Sequence, residues 1–229
     1  MFDLFYKCFI ESDRYNMYLE GLLNTVIIAI GACLLGVVIG IIVTCVRIVP
    51  KTNIFVKILD KIAQLYVTII RGTPVVLQLF ISYFVLLVSI KFVADGLIVA
   101  IVTFGINSGA YMAEILRGGI MAVDSGQMEA GRSLGLTWFQ TFSKIILPQA
   151  LKSAIPTMFN EFITLIKETS VAGYVGIKEL TKVQSFVTIQ TMEIFMPLII
   201  IAVMYLIIVL GLQYIQKRIE RRLTKGDRR

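Results

Sequence analysis

Apolar and polar positions divide the 229-residue chain into long apolar runs and short charged connections. Residues 21–46, 72–90, 96–113 and 194–216 contain no charged side chain. Each run is near or above the roughly 18 to 20 residues that a helix needs to cross a bilayer. A fifth run, 153–166, is broken only by Glu161. Helices are the expected form, because backbone groups in lipid have no water to bond and must pair within their own segment. The runs lack the period-2 alternation of a membrane barrel. The pattern therefore predicts an all-α integral membrane protein with five spans.

Residues 54–71 follow another period. Lys57, Asp60, Lys61, Gln64, Thr68 and Arg71 recur three or four apart, and Ile58, Leu59, Ile62, Leu65, Tyr66, Ile69 and Ile70 fill the other faces. This predicts an amphipathic helix along the cytoplasmic interface. The alternative is the first part of one long tilted second span. Gly72-Thr73-Pro74 favours a break, with Thr73 capping a new helix and Pro74 at its first position.

Composition agrees with the pattern. The chain is 57% hydrophobic and 16% charged, with a mean hydropathy of +0.84. A soluble domain of this length has nowhere to bury so much apolar surface. The first twenty residues carry Asp3, Glu11, Asp13 and Glu20, so a cleavable signal is not expected there. Histidine is absent, which removes imidazole acid–base chemistry and the commonest metal ligand. Cys8, Cys33 and Cys45 are widely spaced and imply neither a metal site nor a disulfide framework.

The net charge of +7 is concentrated after the first, third and fifth runs. Arg47, Lys51, Lys57 and Lys61 follow the first; Arg117, Arg132, Lys144 and Lys152 follow the third. The tail holds Lys217, Arg218, Arg221, Arg222, Lys225, Arg228 and Arg229. Basic residues favour the cytoplasmic side. Five spans put all three clusters there, with the N-terminus outside and the C-terminus cytoplasmic. Beside a membrane span the basic tail reads as an anchor near anionic lipid rather than a nucleic-acid site.

The longest polar interruption lies within residues 119–149. Glu114 and Arg117 can pair on one helix face as the chain leaves the third span. Asp124 or Ser125 can open a short helix running to Gly135, and Thr137-Trp138-Phe139-Gln140 has capping-box spacing for a second, ending near Pro148. Gly135 suits a joint of positive φ. Ala130 and Gly131 are small enough for a partner to approach, and Leu134, Leu136, Trp138 and Phe139 supply an apolar knob.

The spacing Glu129-Ala130-Gly131, Gly135, Ile145, Leu147-Pro148 resembles the Glu-Ala-Ala coupling loop with which ABC importer permeases dock on their ATPase subunits. Gly126 opens the same stretch. Gly131 stands where alanine is common, a change expected to be tolerated in a small-residue slot. Further segments resemble the polar amino-acid subfamily of these permeases. They are Arg71-Gly72-Thr73-Pro74 with Gln78-Leu79-Phe80, Ser108-Gly109-Ala110-Tyr111 through Glu114, Arg117-Gly118-Gly119-Ile120, and Leu165-Ile166-Lys167-Glu168-Thr169-Ser170. Ile70 stands before Arg71 where many relatives are aromatic. The resemblance covers about residues 20–216.

It implies the five-helix core of a type I (MetI-like) ABC importer in one transmembrane domain, 1–229, of a prokaryotic inner or plasma membrane. It also implies a second permease, identical or not, two ATPases below and an extracytoplasmic amino-acid-binding protein above. No Gly-x-x-x-x-Gly-Lys-Ser/Thr sequence occurs, so no cofactor is expected on this chain and ATP belongs to a partner.

Glu161 is the informative residue inside an apolar run, where an ionised carboxylate is costly and is functional or paired. Helical spacing places Thr157, Glu161, Thr164 and Glu168 on one stripe, with Asn160 and Lys167 beside it. Glu161 can take a substrate ammonium; Lys167 can take its carboxylate or pair with Glu161. Pro156 and Gly173 flank the stretch and offer places for local unwinding, a recurrent transporter device. Gln78, Asn107, Ser108 and Tyr111 are candidate wall residues, each with a helix-packing reading beside it. A net-negative pocket would favour a cationic amino acid, against which Lys167 and Arg71 weigh. A secondary transporter would need an ion site and repeated halves, a channel a filter, and an enzyme acid–base or metal groups. No segment suggests these.

Overall fold

The computed structural model describes residues 1–89 and 95–224. Ile90, the predicted end of the second span, and the tail residues Lys225, Arg228 and Arg229 lie outside them. The described residues form helices joined by short turns, without strands. In chain order the α-helices are α1 Phe2–Phe5, α2 Arg14–Ile48, α3 Ile54–Gly72, α4 Val75–Ile81, α5 Gly96–Met121, α6 Gly126–Ser133, α7 Trp138–Thr141, α8 Leu147–Glu168, α9 Leu180–Thr191 and α10 Phe195–Thr224. A π-helical stretch, Ser82–Ser89, continues α4.

By length and composition, α2 with its N-terminal extension, α5 and α10 can each cross a membrane. The pair α3–α4 makes a fourth if taken as one broken span. The break falls at the expected place, but Pro74 rather than Thr73 holds the cap position of α4, which begins at Val75, and the N–H groups of Leu77 and Gln78 bond to the Pro74 carbonyl. The run 153–166 is one continuous helix, but the polar content of α8 keeps it outside that group. Pro156 does not interrupt α8; the helix tightens only after Glu168, into the 3-10 turn Thr169–Val175, which closes on Gly176 at φ 87°.

Helix α2 shows how apolar helices sort their faces. Tyr18, Gly21, Thr25, Ile28, Ala32, Gly36, Gly40 and Thr44 are buried, three or four positions apart. Leu19, Leu23, Ile27, Leu34, Val38 and Ile42 are exposed between them. From Ala32 onward the buried positions are small and the large residues face outward, as expected where lipid is as apolar as leucine and packing turns on close backbone approach.

The described residues form two compact units. The first holds Met1–Leu35, Phe162–Gln213 and the described part of Thr73–Gly105. One core there gathers Ile28, Ala32, Leu79, Ala100, Phe104 and Leu165, and a second gathers Tyr18, Leu180, Val183, Val187, Met196 and Ile200. The N-terminal segment is tied to the end of α9 by Lys7–Glu193 at 3.4 Å and by Arg14 Nε donating to Gln190 at 3.3 Å.

The second unit holds Gly36–Gly72, Ile106–Glu161 and the described part of Tyr214–Arg229. Here α2 and α5 meet through glycines: a Cβ at Gly40 would lie 2.6 Å from Met112 Cβ and 3.1 Å from the Ala113 nitrogen. Thr44 closes the contact by donating its hydroxyl to the Ala113 carbonyl at 3.1 Å. Helix α3 packs Val67, Tyr66 and Ile70 on Ala110 and Ala113, and the Tyr66 hydroxyl donates to the Ile106 carbonyl at 2.6 Å.

Candidate functional site

The connection between α5 and α8 is a rigid two-helix loop. Gly135 follows α6 with φ 83°, a conformation glycine adopts without Cβ strain. Its N–H bonds to the Arg132 carbonyl at 3.0 Å, and the Leu136 N–H bonds to the Gly131 carbonyl at 3.1 Å. Together these are a Schellman close. Helix α7 then opens on a reciprocal capping box. The Gln140 N–H donates to Thr137 Oγ1 at 3.2 Å, and the Thr137 N–H donates to Gln140 Oε1 at 2.8 Å. With both ends fixed, Leu134 and Phe139 stand outward, 81% and 70% exposed. Leu136 and Trp138 are half-buried, and Trp138 stacks on Phe142 at 5.1 Å. The outward part of the apolar knob is therefore Leu134 and Phe139. Glu129 and Ala130 are exposed on α6, with Glu129 in the first turn where the helix dipole favours an acid. Gly126 is half-buried, its N–H held by the Asp124 carboxylate at 2.6 Å.

Two expectations for the loop are corrected. Gly131 is buried, and a Cβ there would overlap the methyl of Thr141. Its small size serves packing between α6 and α7, not the approach of a partner, and an alanine is not freely accommodated. The second loop helix also does not end at Pro148. From α7 the chain passes through the π-turn Phe142–Ile146 into α8, with Pro148 exposed in its first turn. A widened turn is where a helix tolerates proline, which lacks the N–H and crowds the preceding carbonyl.

Glu114 holds more partners than the sequence indicated. Arg117 pairs with it at 2.7 Å, Arg71 approaches at 3.8 Å, and Arg47 also binds the same carboxylate. Arg71 stacks over Tyr111 at 5.1 Å. One acid thus ties α2, α3 and α5 of the second unit together. The local pattern held only the Glu114–Arg117 part, because Arg47 and Arg71 reach it through the fold.

Of the candidate substrate residues, Thr157, Asn160 and Lys167 are exposed on α8, and Glu161 and Thr164 are half-buried. Spaced three and four apart on one helix, Thr157, Asn160 or Glu161, and Thr164 make a continuous polar strip. Gln78 is half-buried and donates to the Thr73 hydroxyl at 2.8 Å. Asn107 is buried. Ser108 is fully buried, its hydroxyl has no hydrogen-bond partner among the described residues, and its side chain fills the space left by Gly36. A ligand reaches Ser108 only if α2 and α5 separate there.

Sequence reasoning passed over Glu179. It caps α9 and is fully buried. Its carboxylate accepts the N–H groups of Thr181 and Lys182, both at 2.7 Å, and the Tyr205 hydroxyl at 3.3 Å. Burial pushes the carboxyl up to about 7, against the opposing pull of those donors. A Cβ on Gly173 would lie 2.5 Å from Glu179 Oε1, so the glycine makes room for the acid. The only local signal is a glutamate ahead of an apolar helix, and glutamate is not a favoured cap.

The chain as a whole is similar to known proteins. Residues 36–225 match the family described as the binding-protein-dependent transport system inner membrane component. The putative glutamine transport system permease protein GlnP of Rickettsia bellii is 37% identical over 214 residues, covering 93% of this chain and 95% of the relative. The arginine transport system permease protein ArtQ of Bacillus subtilis is 36% identical over 209 residues, covering 91% of this chain and 93% of the relative. A crystal structure of an amino acid ABC transporter with histidines matches at a TM-score of 0.84 and 34% identity, over 91% of this chain and 94% of that one. An inward-facing MetNI methionine ABC transporter shares the fold at a TM-score of 0.76 and 22% identity, over 93% and 99%.

Proposed function

The chain belongs to the inner-membrane components of binding-protein-dependent transport systems, and on that premise we propose that it is the permease subunit of an ATP-binding cassette importer for a polar amino acid. Relatives named for glutamine and for arginine support that substrate class. The observation that carries the reading is the loop of α6 and α7, whose two capped ends fix Leu134 and Phe139 outward. Exposed large apolar side chains on a rigid helical loop are the anchor type found at interface cores. An ATPase subunit covers them, with Gly126, Glu129, Ala130, Leu136, Trp138 and Pro148 around the contact. ATP is bound and hydrolysed by that partner.

The polar strip on α8 lines the pathway. A strip of threonine, asparagine and glutamate facing lipid would be costly, whereas beside a water-filled path or a second permease it is solvated. Glu161 takes the substrate ammonium, and its neighbours on the same helix, Thr157, Asn160, Thr164 and Lys167, supply donors for the other groups. A second permease completes the path, and an extracytoplasmic binding protein delivers the substrate. The basic clusters support a cytoplasmic loop and C-terminus, an outward N-terminus and α3 along the inner membrane surface, in a prokaryotic inner or plasma membrane. ATP binding closes the two ATPases, the docked loops follow as rigid bodies, and the pathway opens toward the binding protein; nucleotide release reverses it.

Purification of the tagged chain from its native membrane in mild detergent tests the reading. The expected result is a stoichiometric ATPase partner that is lost in Leu134→Glu. A chain that emerges alone, under conditions where a known ABC complex stays intact, overturns it.

A further inference from the structure

Helix α3 has three faces where the sequence shows two. Ala63 and Val67 are buried, with Tyr66 and Ile70 half-buried beside them. The outward half is divided lengthwise. Ile54, Ile58, Ile62, Leu65 and Ile69, each at least 50% exposed, form an apolar strip. Lys57, Lys61, Gln64 and Thr68 form an exposed polar strip alongside. Where the strips meet, Lys57 and Lys61 wall a shallow groove with Ile54, Ile58, Ile62 and Leu65.

The nearest acid is already engaged: Asp60 pairs with Lys51. Neither Lys57 nor Lys61 has an ion-pair partner among the described residues. Two ammonium groups one helical turn apart stand beside an apolar floor several turns long. That arrangement complements one kind of molecule, an anionic headgroup attached to a hydrocarbon chain.

We propose that α3 carries a site for an anionic phospholipid, its phosphate between Lys57 and Lys61 and its acyl chain along Ile54, Ile58, Ile62 and Leu65. The inference rests on the membrane-subunit reading above and adds the lipid class. Zwitterionic lipid satisfies the apolar strip, but its own cation offsets its phosphate, so the net charge of the ammonium pair stays uncompensated. Anionic lipid satisfies both and fixes the helix at the surface in one rotation about its axis. A soluble phosphate lacks the chain and gains only the weaker, screened part of the attraction.

The test uses the purified intact complex, delipidated in detergent and titrated with phosphatidylglycerol or phosphatidylcholine of matched chains, with retained lipid read by native mass spectrometry. Wild type retains phosphatidylglycerol preferentially. The double variant Lys57→Gln, Lys61→Gln lowers that preference by roughly tenfold or more, since each lysine near an anionic surface contributes about a factor of five. Ile58→Asn, Ile62→Asn weakens retention of both lipids, and glycerophosphate does not displace bound phosphatidylglycerol. An unchanged lipid preference in the lysine variant overturns the proposal. So does displacement by glycerophosphate, or a lysine variant that sheds a protein subunit while keeping its lipid preference. Because the ATPase partner is scored in the same spectra, a failed lipid site is distinguishable from a failed permease reading.

Discussion

Gly131 and Thr141 touch inside the α6–α7 loop, and the contact makes a definite prediction at the scale of one methyl group. Thr141 is fully buried and donates its hydroxyl to the Thr137 carbonyl at 3.0 Å, so it has little freedom to turn away. Gly131→Ala is expected to destabilise the loop by about 1 to 3 kcal/mol, the usual cost of overpacking. Adding Thr141→Ala removes the obstructing methyl and restores most of the loss, giving a favourable coupling energy in a double-mutant cycle. Trp138, the only tryptophan in the chain, reports on this loop by fluorescence during thermal unfolding in detergent. Additive single-variant effects would show that the two side chains do not share the space. Nearby residues differ in how far the sequence exposes their roles. The left-handed Gly135 and the Thr137–Gln140 box were legible because each depends on residues within a few positions. The inward aim of Gly131 was not, because it depends on how one short helix folds over the next.

Helix α9 starts at a carboxylate that burial holds near neutrality, and a pH dependence follows for that element. Glu179 has an ordinary value of 4.5, raised in the folded chain to about 7. Between those values the folded chain binds more protons than the unfolded one, so stability falls as pH rises through the window. The contribution is complete below pH 4.5 and lost above about 7. The melting temperature of the detergent-purified chain is expected to decline across this range, with a shallower decline in Glu179→Gln. Identical slopes in the two proteins would remove Glu179 from the account. Elements differ in legibility for the same physical reason as residues. The existence and period of α2, α3, α5 and α10 follow from runs of their own side chains. The third face of α3 and the burial of Glu179 do not. Val67 looks like any other apolar position until Ala110 and Ala113 are packed near it. Glu179 is enclosed by Tyr205, Gly173 and Gly21, the last more than 150 positions away.

A permease moves substrate only with its partners, so the molecule-scale prediction concerns the reconstituted transporter. With ATPase, second permease and binding protein present, uptake is expected to stop when ATP is withheld at a constant ion gradient. Glu161→Gln, which removes the charge and keeps the shape, is expected to lower uptake roughly tenfold or more, the scale of one lost charge-assisted hydrogen bond. The ATPase is expected to remain bound in that variant, because Glu161 lies on α8, outside the loop proposed to dock it. Uptake that persists on the ion gradient alone would favour a secondary transporter, and unchanged uptake in Glu161→Gln would remove the ammonium role. The sequence by itself determined the membrane class, the break at Gly72-Thr73-Pro74, the two-helix loop with its glycine joint, and the family, since each is written in contiguous runs or fixed spacings. Only the tertiary structure decided Arg47 and Arg71 on Glu114, the burial of Ser108 against Gly36 and the enclosure of Glu179. Periodicity tells a helix which of its own residues share a face; which neighbour that face meets is fixed by packing between segments far apart in the chain.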